Sequence, residues 1–329
     1  MSDVVTFGEA MVRLSPPNFL RLEQTRGLDV QVGGGEFNVA VGVTRFGLSS
    51  SWVSRLPDNP LGRLIDSYAK QFGVDTSHVE WADDARCGLY FLEFGAAPRP
   101  SSVVYDRADS AISKVQPGTI YWGKVFDGAK LLHTSGITPA LGPNVAETTA
   151  EALKAAKSAG VKVTYDLNYR AKLWTQAEAE EIQSPMMENV DVLITTEEDT
   201  ARVFGIEKDT YDDVAVALAD KFGLEGVAIT LRDNLSVWKN GWTAIAYRAS
   251  DGEFIRTNTY EIEIVDRVGG GDSFSAGFVA GYLDGDWQAG VDQGVAFSAL
   301  KHSMPGDVNW STKAEVDRLL SGGGLRITR

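Results

Sequence analysis

The chain has 329 residues, of which 43% are hydrophobic and 10% aromatic, enough to fill the core of one large α/β domain or two small ones. Its formal net charge of −14 argues against nucleic acid or an anionic membrane as the main partner, because both bind basic surfaces. The single cysteine, Cys87, excludes an internal disulfide, and since no 18-residue apolar run or signal pattern occurs, we expect a cytoplasmic protein.

The first half of the chain predicts short strands and helices separated by glycine and proline turns. In chain order we predict strands at residues 4–7, 11–14 and 29–32, a small-residue helix at 39–47, a strand at 52–54, a helix at 61–72, and strands at 86–94 and 102–107. Four of these strands alternate apolar and polar residues, and they come from two separate segments, residues 12–36 and 85–112. They predict a small sheet apart from the main one, which we expect to act as a lid.

From about residue 130 the chain alternates between strand and helix patterns. Strands predicted at 131–134, 161–166, 192–195 and 227–231 alternate with helices at 143–159, 177–187, 197–204 and 211–222. This order indicates a mainly parallel sheet with helices on both faces, and ligands of such sheets bind at the carboxyl ends of the strands. The remaining predicted elements are two hairpin-like strands near 235–247, a strand near 258–264, and helices at 271–283, 291–301 and 313–320.

A chemically distinctive turn, Gly269-Gly270-Gly271-Asp272, comes directly before one of these helices. Three glycines expose their backbone N–H groups, and the positive end of the helix points to the same place, so the turn predicts an anion or phosphate site. A carboxylate beside bound phosphate costs electrostatic energy, which favours Asp272 as the general base for a hydroxyl that attacks a phosphoryl group. The alternative is that Asp272 is only the N-cap of the helix.

Two other glycine-containing stretches resemble nucleotide motifs without fulfilling them. The stretch 118–125 has the spacing of a P-loop, but Val125 stands where the metal-binding hydroxyl is needed. The turn at 33–35 does not continue as a dinucleotide fingerprint, because Asn38 stands in the place of the third glycine. A hydride-transfer enzyme therefore has little support.

Two motifs together make the chain similar, from end to end, to the ribokinase-like (PfkB) family of carbohydrate kinases. They are Gly-Gly-Gly-Glu-Phe-Asn at 33–38 and Asp-Arg-Val-Gly-Gly-Gly-Asp at 266–272. The resemblance implies one domain over residues 1–329, an α/β three-layer sandwich with a mainly parallel central sheet flanked by helices, plus a small β-sheet lid. It also implies ATP and Mg²⁺ as cofactors. The implied site residues are Asp272 as catalytic base, Gly269, Gly270 and Gly271 as anion hole, Thr230, Gly269 and Gly271 at the nucleotide, and Gly34, Gly35 and Asn38 at the sugar.

Within that family, four stretches are most similar to the 2-keto-3-deoxygluconate kinases, at 88–93, 99–107, 166–174 and 301–307. By that similarity Tyr90, Tyr105, Arg107 and Arg170 hold the substrate. The chemistry agrees, since a sugar acid carries a carboxylate, and a chain with a net charge of −14 needs arginines at the site to bind one. The two tyrosines occupy alternating strands of the predicted lid, so both can face the same side.

The chain departs from the family pattern at three places. Gly270 replaces the usual alanine, which adds conformational freedom to the turn. The family's Asn-x-x-Glu, which helps to organise Mg²⁺, is replaced by Thr-Glu-Glu-Asp at 196–199, so the metal candidates are Asp199 and, second to it, Glu198. The stretch 230–234 lacks the usual glycines, although Thr230 can still reach a phosphate. The resemblance also suggests that Asp266 contributes to a site for K⁺.

Together these inferences predict an ATP-dependent kinase that phosphorylates the 6-hydroxyl of 2-keto-3-deoxygluconate to give 2-keto-3-deoxy-6-phosphogluconate. Two alternatives stay open: a fructokinase or ribokinase that acts on a neutral sugar, and a non-catalytic sugar-acid sensor. The sequence does not distinguish the gluconate-derived from the galactonate-derived epimer. A homo-oligomer formed through the lid is expected, and His133 and His302 are interpreted as structural.

Overall fold

The computed structural model describes residues 2–234 and 238–323. Its strands are β1 (Val4–Phe7), β2 (Met11–Ser15), β3 (Asp29–Gly33), β4 (Ser50–Pro57), β5 (Val79–Ala82), β6 (Leu89–Glu93), β7 (Ser102–Asp106), β8 (Leu131–Ser135), β9 (Lys162–Asp166), β10 (Val192–Thr195), β11 (Gly226–Asn234), β12 (Lys239–Arg248), β13 (Glu253–Arg256) and β14 (Tyr260–Glu263). Its helices are α1 (Gly35–Arg45), α2 (Pro60–Gln71), α3 (Trp122–Val125), α4 (Pro143–Ser158), α5 (Gln176–Met186), α6 (Glu197–Phe204), α7 (Tyr211–Phe222), α8 (Gly270–Leu283), α9 (Trp287–His302) and α10 (Lys313–Leu320). Within the described ranges, no helix combines the length and the apolar character needed to cross a membrane.

The main sheet has the strand order β13-β12-β11-β10-β9-β8-β1-β4-β5, and β14 pairs with β12. The strands from β11 across to β5 run parallel, whereas β12, β13 and β14 pair antiparallel at one end. Strands β8 and β10 are buried along their whole length, as expected where helices cover both faces of a sheet. The predicted α/β architecture is therefore confirmed.

Helices on the two faces of the sheet pack into separate apolar layers. One hydrophobic cluster includes side chains of α4, α5 and α7, and another includes side chains of α1, α8 and α9. Helices α8 and α9 lie in backbone contact, because a Cβ at Gly281 would lie 2.2 Å from the backbone nitrogen of Gly290. This contact holds α8, whose first turn contains Asp272, firmly against the core.

The small sheet consists of strands β3, β2, β6 and β7 in that order. Strands β2 and β6 run parallel, and the two outer pairs run antiparallel. The strands come from the two segments that the alternation pattern indicates, with β2 beginning one residue earlier, at Met11. Tyr90 on β6 lies directly opposite Tyr105 on β7, so both point to the same side of the small sheet as predicted.

The sequence analysis missed two strands, β5 and β13, and the short helix α3. It also placed two hairpin-like strands near 235–247, where β11 extends to Asn234 and pairs with a single long β12; residues 235–237 lie outside the described residues. Helix α9 begins at Trp287 instead of residue 291, because the side chain of Asp286 accepts a hydrogen bond of 2.9 Å from the backbone N–H of Ala289. Asp286 directly before Trp287 is a typical N-cap signal, and the apolar pattern that begins at residue 291 did not include it.

Helix α3 lies inside the stretch 118–125, which has P-loop spacing. Trp122 and Val125 of this helix belong to the hydrophobic core. Their burial supports the interpretation that these glycines do not form a phosphate site.

Candidate active site

A cavity of about 610 Å³ lies at the carboxyl ends of the parallel strands and is lined on one side by the small sheet. It brings together the two glycine turns, from opposite ends of the sequence, with all but one of the side chains predicted to act at the site. The predicted residues that line it are Gly34, Gly35, Asn38, Tyr90, Tyr105, Arg107, Arg170, Glu198, Asp199, Thr230, Gly269, Gly270, Gly271 and Asp272. The exception is Asp266, which lies behind the second turn.

Asp272 is the third residue of α8, and the N-cap of that helix is Gly269, with no side-chain capping bond. The interpretation of Asp272 as a mere N-cap is therefore wrong. Its Oδ2 accepts a hydrogen bond of 2.6 Å from Nδ2 of Asn38. Burial raises the pKa of Asp272 to about 7, and the Asn38 hydrogen bond opposes that rise by stabilising the ionised form. The carboxyl group is thus poised to exchange a proton near neutral pH.

The three glycines before Asp272 have different surroundings. Gly269 has a φ of 82°, and a Cβ there would lie 1.9 Å from the carbonyl oxygen of Asp307. At Gly271 a Cβ would meet no described atom within 4 Å, so this part of the turn opens to the cavity. Since the first N–H groups of a helix lack partners inside the helix, the open turn can bind an anion through its backbone.

Gly270 is required by its neighbour His302. A Cβ at Gly270 would lie 2.5 Å from Cε1 of His302, and the carbonyl oxygen of Gly270 accepts a 2.7 Å hydrogen bond from Ser298. Burial lowers the pKa of His302 to about 4, so the ring is neutral at pH 7, and its Nδ1 lies 2.7 Å from the carbonyl oxygen of Ser298. The replacement of the family's alanine by Gly270 therefore does more than add conformational freedom to the turn. The glycine leaves space for the imidazole of His302, which packs against the turn.

The first glycine turn packs closely against neighbouring backbone. A Cβ at Gly34 would lie 2.0 Å from the carbonyl oxygen of Glu9, and one at Gly33 would lie 2.1 Å from Oδ2 of Asp307. Asn38 links the two turns, because its Oδ1 lies 3.4 Å from the backbone nitrogen of Gly34 while its amide donates to Asp272. The turn thereby sets the position of the Asp272 carboxyl group.

The side chains of the small sheet are already partnered within the protein. The Tyr90 hydroxyl donates to Oδ2 of Asp307, and its ring lies 5.8 Å from that of Tyr105. Arg107 donates from Nε and Nη2 to Oε2 of Glu9, with an Nε–Oε2 distance of 2.8 Å, and its guanidinium lies 5.6 Å from the Tyr105 ring. These contacts hold the arginine and both rings in a fixed arrangement at the cavity wall.

Three carboxylates and one arginine act on one another at the other side of the cavity. Burial raises the pKa of Asp166 well above its usual value, and the charges of Asp272 and Asp199 raise it further. Burial likewise raises the pKa of Asp199. Arg170 lowers the pKa of all three groups, so its guanidinium lies within electrostatic reach of each of them.

This carboxylate group fits a magnesium ion that arrives with a nucleotide. Mg²⁺ usually takes one or two carboxylates and completes its shell with phosphate oxygens and water. Asp199 and Asp166 would offer such oxygens to the ion, and in the described part of the chain no group of three ligating side chains could hold a metal by itself. Glu198 is engaged elsewhere, since its Oε1 accepts from Arg202 and its Oε2 lies 3.9 Å from Arg232.

Both oxygens of the Asp266 carboxylate bind donors from the protein itself. Its Oδ2 lies 2.7 Å from Nη2 of Arg13 and accepts a 3.0 Å hydrogen bond from the backbone N–H of Gly306, and its Oδ1 accepts from Val268 at 3.0 Å. Nη1 of Arg13 lies 2.7 Å from Oδ1 of Asp307. The K⁺ site at Asp266 stays a prediction. The guanidinium of Arg13 already occupies the position beside this carboxylate where a cation would be attracted.

Sequence reasoning missed several charged residues of the site, namely Glu9, Arg13, Asp166, Lys301 and Asp307. Four of them had a usable signal. Arg13 interrupts an apolar strand and is only 1% exposed, and Asp166, Lys301 and Asp307 lie at the ends of stretches that carried the family resemblance. A charge inside an apolar strand needs a partner, but the pattern does not say which one.

Comparison with known proteins agrees with this geometry. The family model described as pfkB family carbohydrate kinase matches residues 1–313. A 2-dehydro-3-deoxygalactonokinase of Haloferax volcanii is 39% identical over 329 residues, covering 100% of this chain and 99% of that protein. The crystal structure of 2-dehydro-3-deoxygluconokinase from Thermotoga maritima has a TM-score of 0.94 at 45% identity, covering 97% of this chain and 98% of the other.

The fold is also shared with a more distant structure. An Escherichia coli ribokinase II candidate solved in complex with ATP and Mg²⁺ has a TM-score of 0.86 at 18% identity, covering 98% of this chain and 100% of the other. The match of the family model over most of the chain, and the 39% identity over its full length, lead to one conclusion: this chain belongs to the pfkB family of carbohydrate kinases.

Proposed function

We propose that the protein is an ATP-dependent kinase that transfers a phosphoryl group to the 6-hydroxyl of 2-keto-3-deoxygluconate, giving 2-keto-3-deoxy-6-phosphogluconate and ADP. The observation that carries this proposal is the buried Asp272, whose pKa is raised to about 7, beside an open glycine turn at a helix N-terminus. A base whose pKa lies near the working pH is well matched to accept a hydroxyl proton. The name of the Thermotoga maritima relative supports the choice of substrate.

In the reaction, Asp272 takes the proton of the 6-hydroxyl. The hydroxyl oxygen bonds to the γ-phosphorus of ATP, and the bond between that phosphorus and the β–γ bridging oxygen breaks. The backbone N–H groups of Gly269 and Gly271 stabilise the charge that develops on the transferring group, whereas the N–H of Gly270 donates to the carbonyl oxygen of Arg267 at 3.3 Å. Donors that are fixed before the reaction need no reorganisation, which is why such sites are effective. Asn38 keeps the carboxylate of Asp272 oriented toward the hydroxyl.

The sugar acid is held by residues from both sides of the cavity. Arg107 and Tyr105, supported by Glu9, bind the carboxylate end, since a guanidinium forms strong charge-assisted hydrogen bonds to carboxylates. The small sheet that carries them acts as a lid, and Tyr90, Gly34 and Gly35 shape the sugar pocket. Arg170 contacts the substrate near its reacting end, because it acts on the same three carboxylates that surround the phosphoryl site.

The nucleotide binds beside Thr230, Gly269 and Gly271. Asp199, with Asp166 beside it, would hold Mg²⁺, and Glu198 could join only after it leaves its arginine partners. When bound, Mg²⁺ would supply positive charge that offsets the negative charge of the phosphate groups. K⁺ at Asp266 would have to compete with the guanidinium and the two backbone N–H groups that this carboxylate already binds.

Release of ADP from ATP, measured with 2-keto-3-deoxygluconate, fructose and ribose in turn, tests the proposal. We expect turnover with the sugar acid and little with the neutral sugars. Arg107→Ala should raise KM for the sugar acid by about 10- to 100-fold, because a hydrogen bond to a charged group contributes about 1.5–3 kcal/mol. Faster turnover of fructose or ribose, or an equal KM change for both classes, would identify a neutral-sugar kinase, and sugar-acid binding without ADP release would identify a sensor.

A second candidate substrate is the galactonate-derived epimer, 2-keto-3-deoxygalactonate. It is favoured by one observation, the name of the Haloferax volcanii relative, which is 39% identical over the whole chain. The two epimers differ at one hydroxyl, so the ratio of their kcat/KM values in the same assay decides between them. A ratio near one would mean that the cavity accepts both.

We also propose that two copies pair through the outer face of the small sheet. Four apolar side chains lie in register across it, one on each strand: Val30, Leu14, Phe91 and Val104. The two end residues are more than half exposed, and a contiguous exposed apolar row of this kind is typical of an interaction surface. Light scattering should show a dimer, and Val104→Glu should shift it to a monomer; an unchanged mass would exclude this face.

A further inference from the structure

Lys301, in the last turn of α9, is fully buried, which is rare for a lysine that has no function. Its Nζ donates hydrogen bonds to two backbone carbonyl oxygens, those of Asp266 and Met304, each at 3.3 Å. Burial lowers the pKa of Lys301, and the charges of Asp266 and Asp307 oppose that change. The proposed reaction does not use this ammonium group directly.

The two carbonyl groups belong to the two backbone segments that form the anion-binding turn. Asp266 begins the segment that ends at the glycines, and Met304 begins the turn that runs to Asp307. A hydrogen bond of 3.0 Å from the Gly306 N–H to Asp266 joins the two segments, and Gly269 packs against the carbonyl oxygen of Asp307. Lys301 therefore holds both walls of the turn from behind.

Four buried ionisable side chains meet around the ammonium group. Lys301 and Arg13 are the basic ones, Asp266 and Asp307 are the acidic ones, and all four are at most 3% exposed. The charge of Asp272 also acts on Lys301. Arg13 binds the two carboxylates from the small sheet, while Lys301 binds the carbonyl side. A neutral side chain at 301 would leave two buried carbonyl groups without a donor and the cluster with an excess negative charge close to the transferring phosphoryl group.

We propose that Lys301 is a positioning residue whose ammonium group acts as a built-in monovalent cation, fixing the glycine turn so that its N–H groups point at the transferred phosphoryl group. This inference rests on the proposed kinase function. If it is correct, the glycine turn requires a small positive charge between the two carbonyl oxygens that Lys301 binds. A cation from solution should therefore replace the side chain once the space is opened.

Chemical rescue of Lys301→Ala tests the proposal. In buffer with only a large organic cation, we expect kcat to fall by about 10²-fold, the range for loss of an oxyanion donor, with KM for the sugar acid changed by less than about threefold. Ammonium, methylammonium or K⁺ should then restore kcat at least tenfold. Lys301→Met fills the space without a charge and should lose activity without rescue. Lys313→Ala, which removes an exposed lysine paired with Asp317, should behave as wild type in every buffer.

Two results would overturn the inference: full activity of Lys301→Met, or a folded Lys301→Ala that no cation rescues. If the wild type phosphorylates none of the sugars, the proposed function fails by itself. Thermal unfolding then decides whether the ammonium group of Lys301 acts as a cation at the turn. Ammonium should then raise the Tm of Lys301→Ala above the shifts seen for the wild type and for Lys301→Met. Equal shifts in all three proteins would leave Lys301 without a cation role.

Discussion

The two glycine turns are joined by the hydrogen bond between Asn38 and Asp272, but their glycines have different structural roles. In the turn at 33–35, Gly33 and Gly34 are needed because neighbouring atoms lie where their Cβ atoms would be. That turn is a close packing contact that fixes the start of α1, and with it Asn38. Its chemistry is indirect: it determines where the amide that holds the base will lie.

In the turn at 269–271, the close contacts end before the last glycine. Gly269 and Gly270 pack against Asp307 and His302, whereas Gly271 faces open space. Both turns begin with two tightly packed glycines and differ at the third: a Cβ at Gly35 would lie 3.7 Å from Oδ1 of Asp272, whereas one at Gly271 would meet no described atom within 4 Å. The comparison teaches that the surroundings of the third glycine, a protein carboxylate or open space, distinguish a turn that positions a side chain from a turn that can bind an anion. Substitutions in the two turns should therefore affect different quantities, stability in the first and turnover in the second.

The largest effect is expected for Asp272→Asn. The amide keeps the size of the side chain and removes the base, so kcat should fall at least about 10³-fold while the protein stays folded. Steady-state kinetics and thermal unfolding of the same preparation check both points. A variant that keeps most of its activity would rule out Asp272 as the base.

Gly34→Ala should mainly reduce stability. Its Cβ would lie 2.0 Å from the backbone oxygen of Glu9, which cannot move away as a side chain can, so we expect a loss of about 1–3 kcal/mol in the free energy of unfolding. Gly35→Ala is the matched control, because its nearest neighbours lie 3.7 Å away or more. Urea unfolding that ranks the two variants equally would contradict the packing explanation.

Gly270→Ala should reduce kcat by roughly tenfold, a fraction of the loss for a whole oxyanion donor, because the new methyl group displaces His302 and shifts the turn. His302→Ala opens the space that the methyl group needs. The double variant should therefore be more active than Gly270→Ala alone, as measured in a double-mutant cycle. Additive losses would show that the imidazole is not the reason for the glycine.

The smallest effect concerns the pH profile. With a pKa near 7 in the free protein, Asp272 is ionised above neutral pH, so kcat/KM should fall about tenfold for each pH unit below 7. Asn38 stabilises the ionised form, so Asn38→Leu should raise that pKa and move the acid limb of the kcat/KM profile to higher pH. Asn144→Leu, on the exposed face of α4, should leave the profile unchanged. A limb that stays in place or moves to lower pH would contradict the assignment.

The sequence by itself determined most of the order of strands and helices and the two glycine motifs, and it predicted Asp272 as the base, because each of these depends on neighbours along the chain. Apolar runs of four or five residues indicated the parallel strands, and the alternation in two separate segments indicated the small sheet. Both motifs also line the cavity. Local spacing is sufficient for such features, since backbone conformation and side-chain direction repeat with a short period.

Only the tertiary structure decided which partner each charged group takes. Arg13 and Asp307 are separated by 294 positions and lie 2.7 Å apart, and Arg107 donates to Glu9 from 98 positions away. The same holds for Gly270, whose meaning depends on the ring of His302, and for Lys301, whose ammonium lies between two turns. A buried charge is stabilised by whatever group the fold brings within hydrogen-bonding distance, and that distance exists only once the chain has folded.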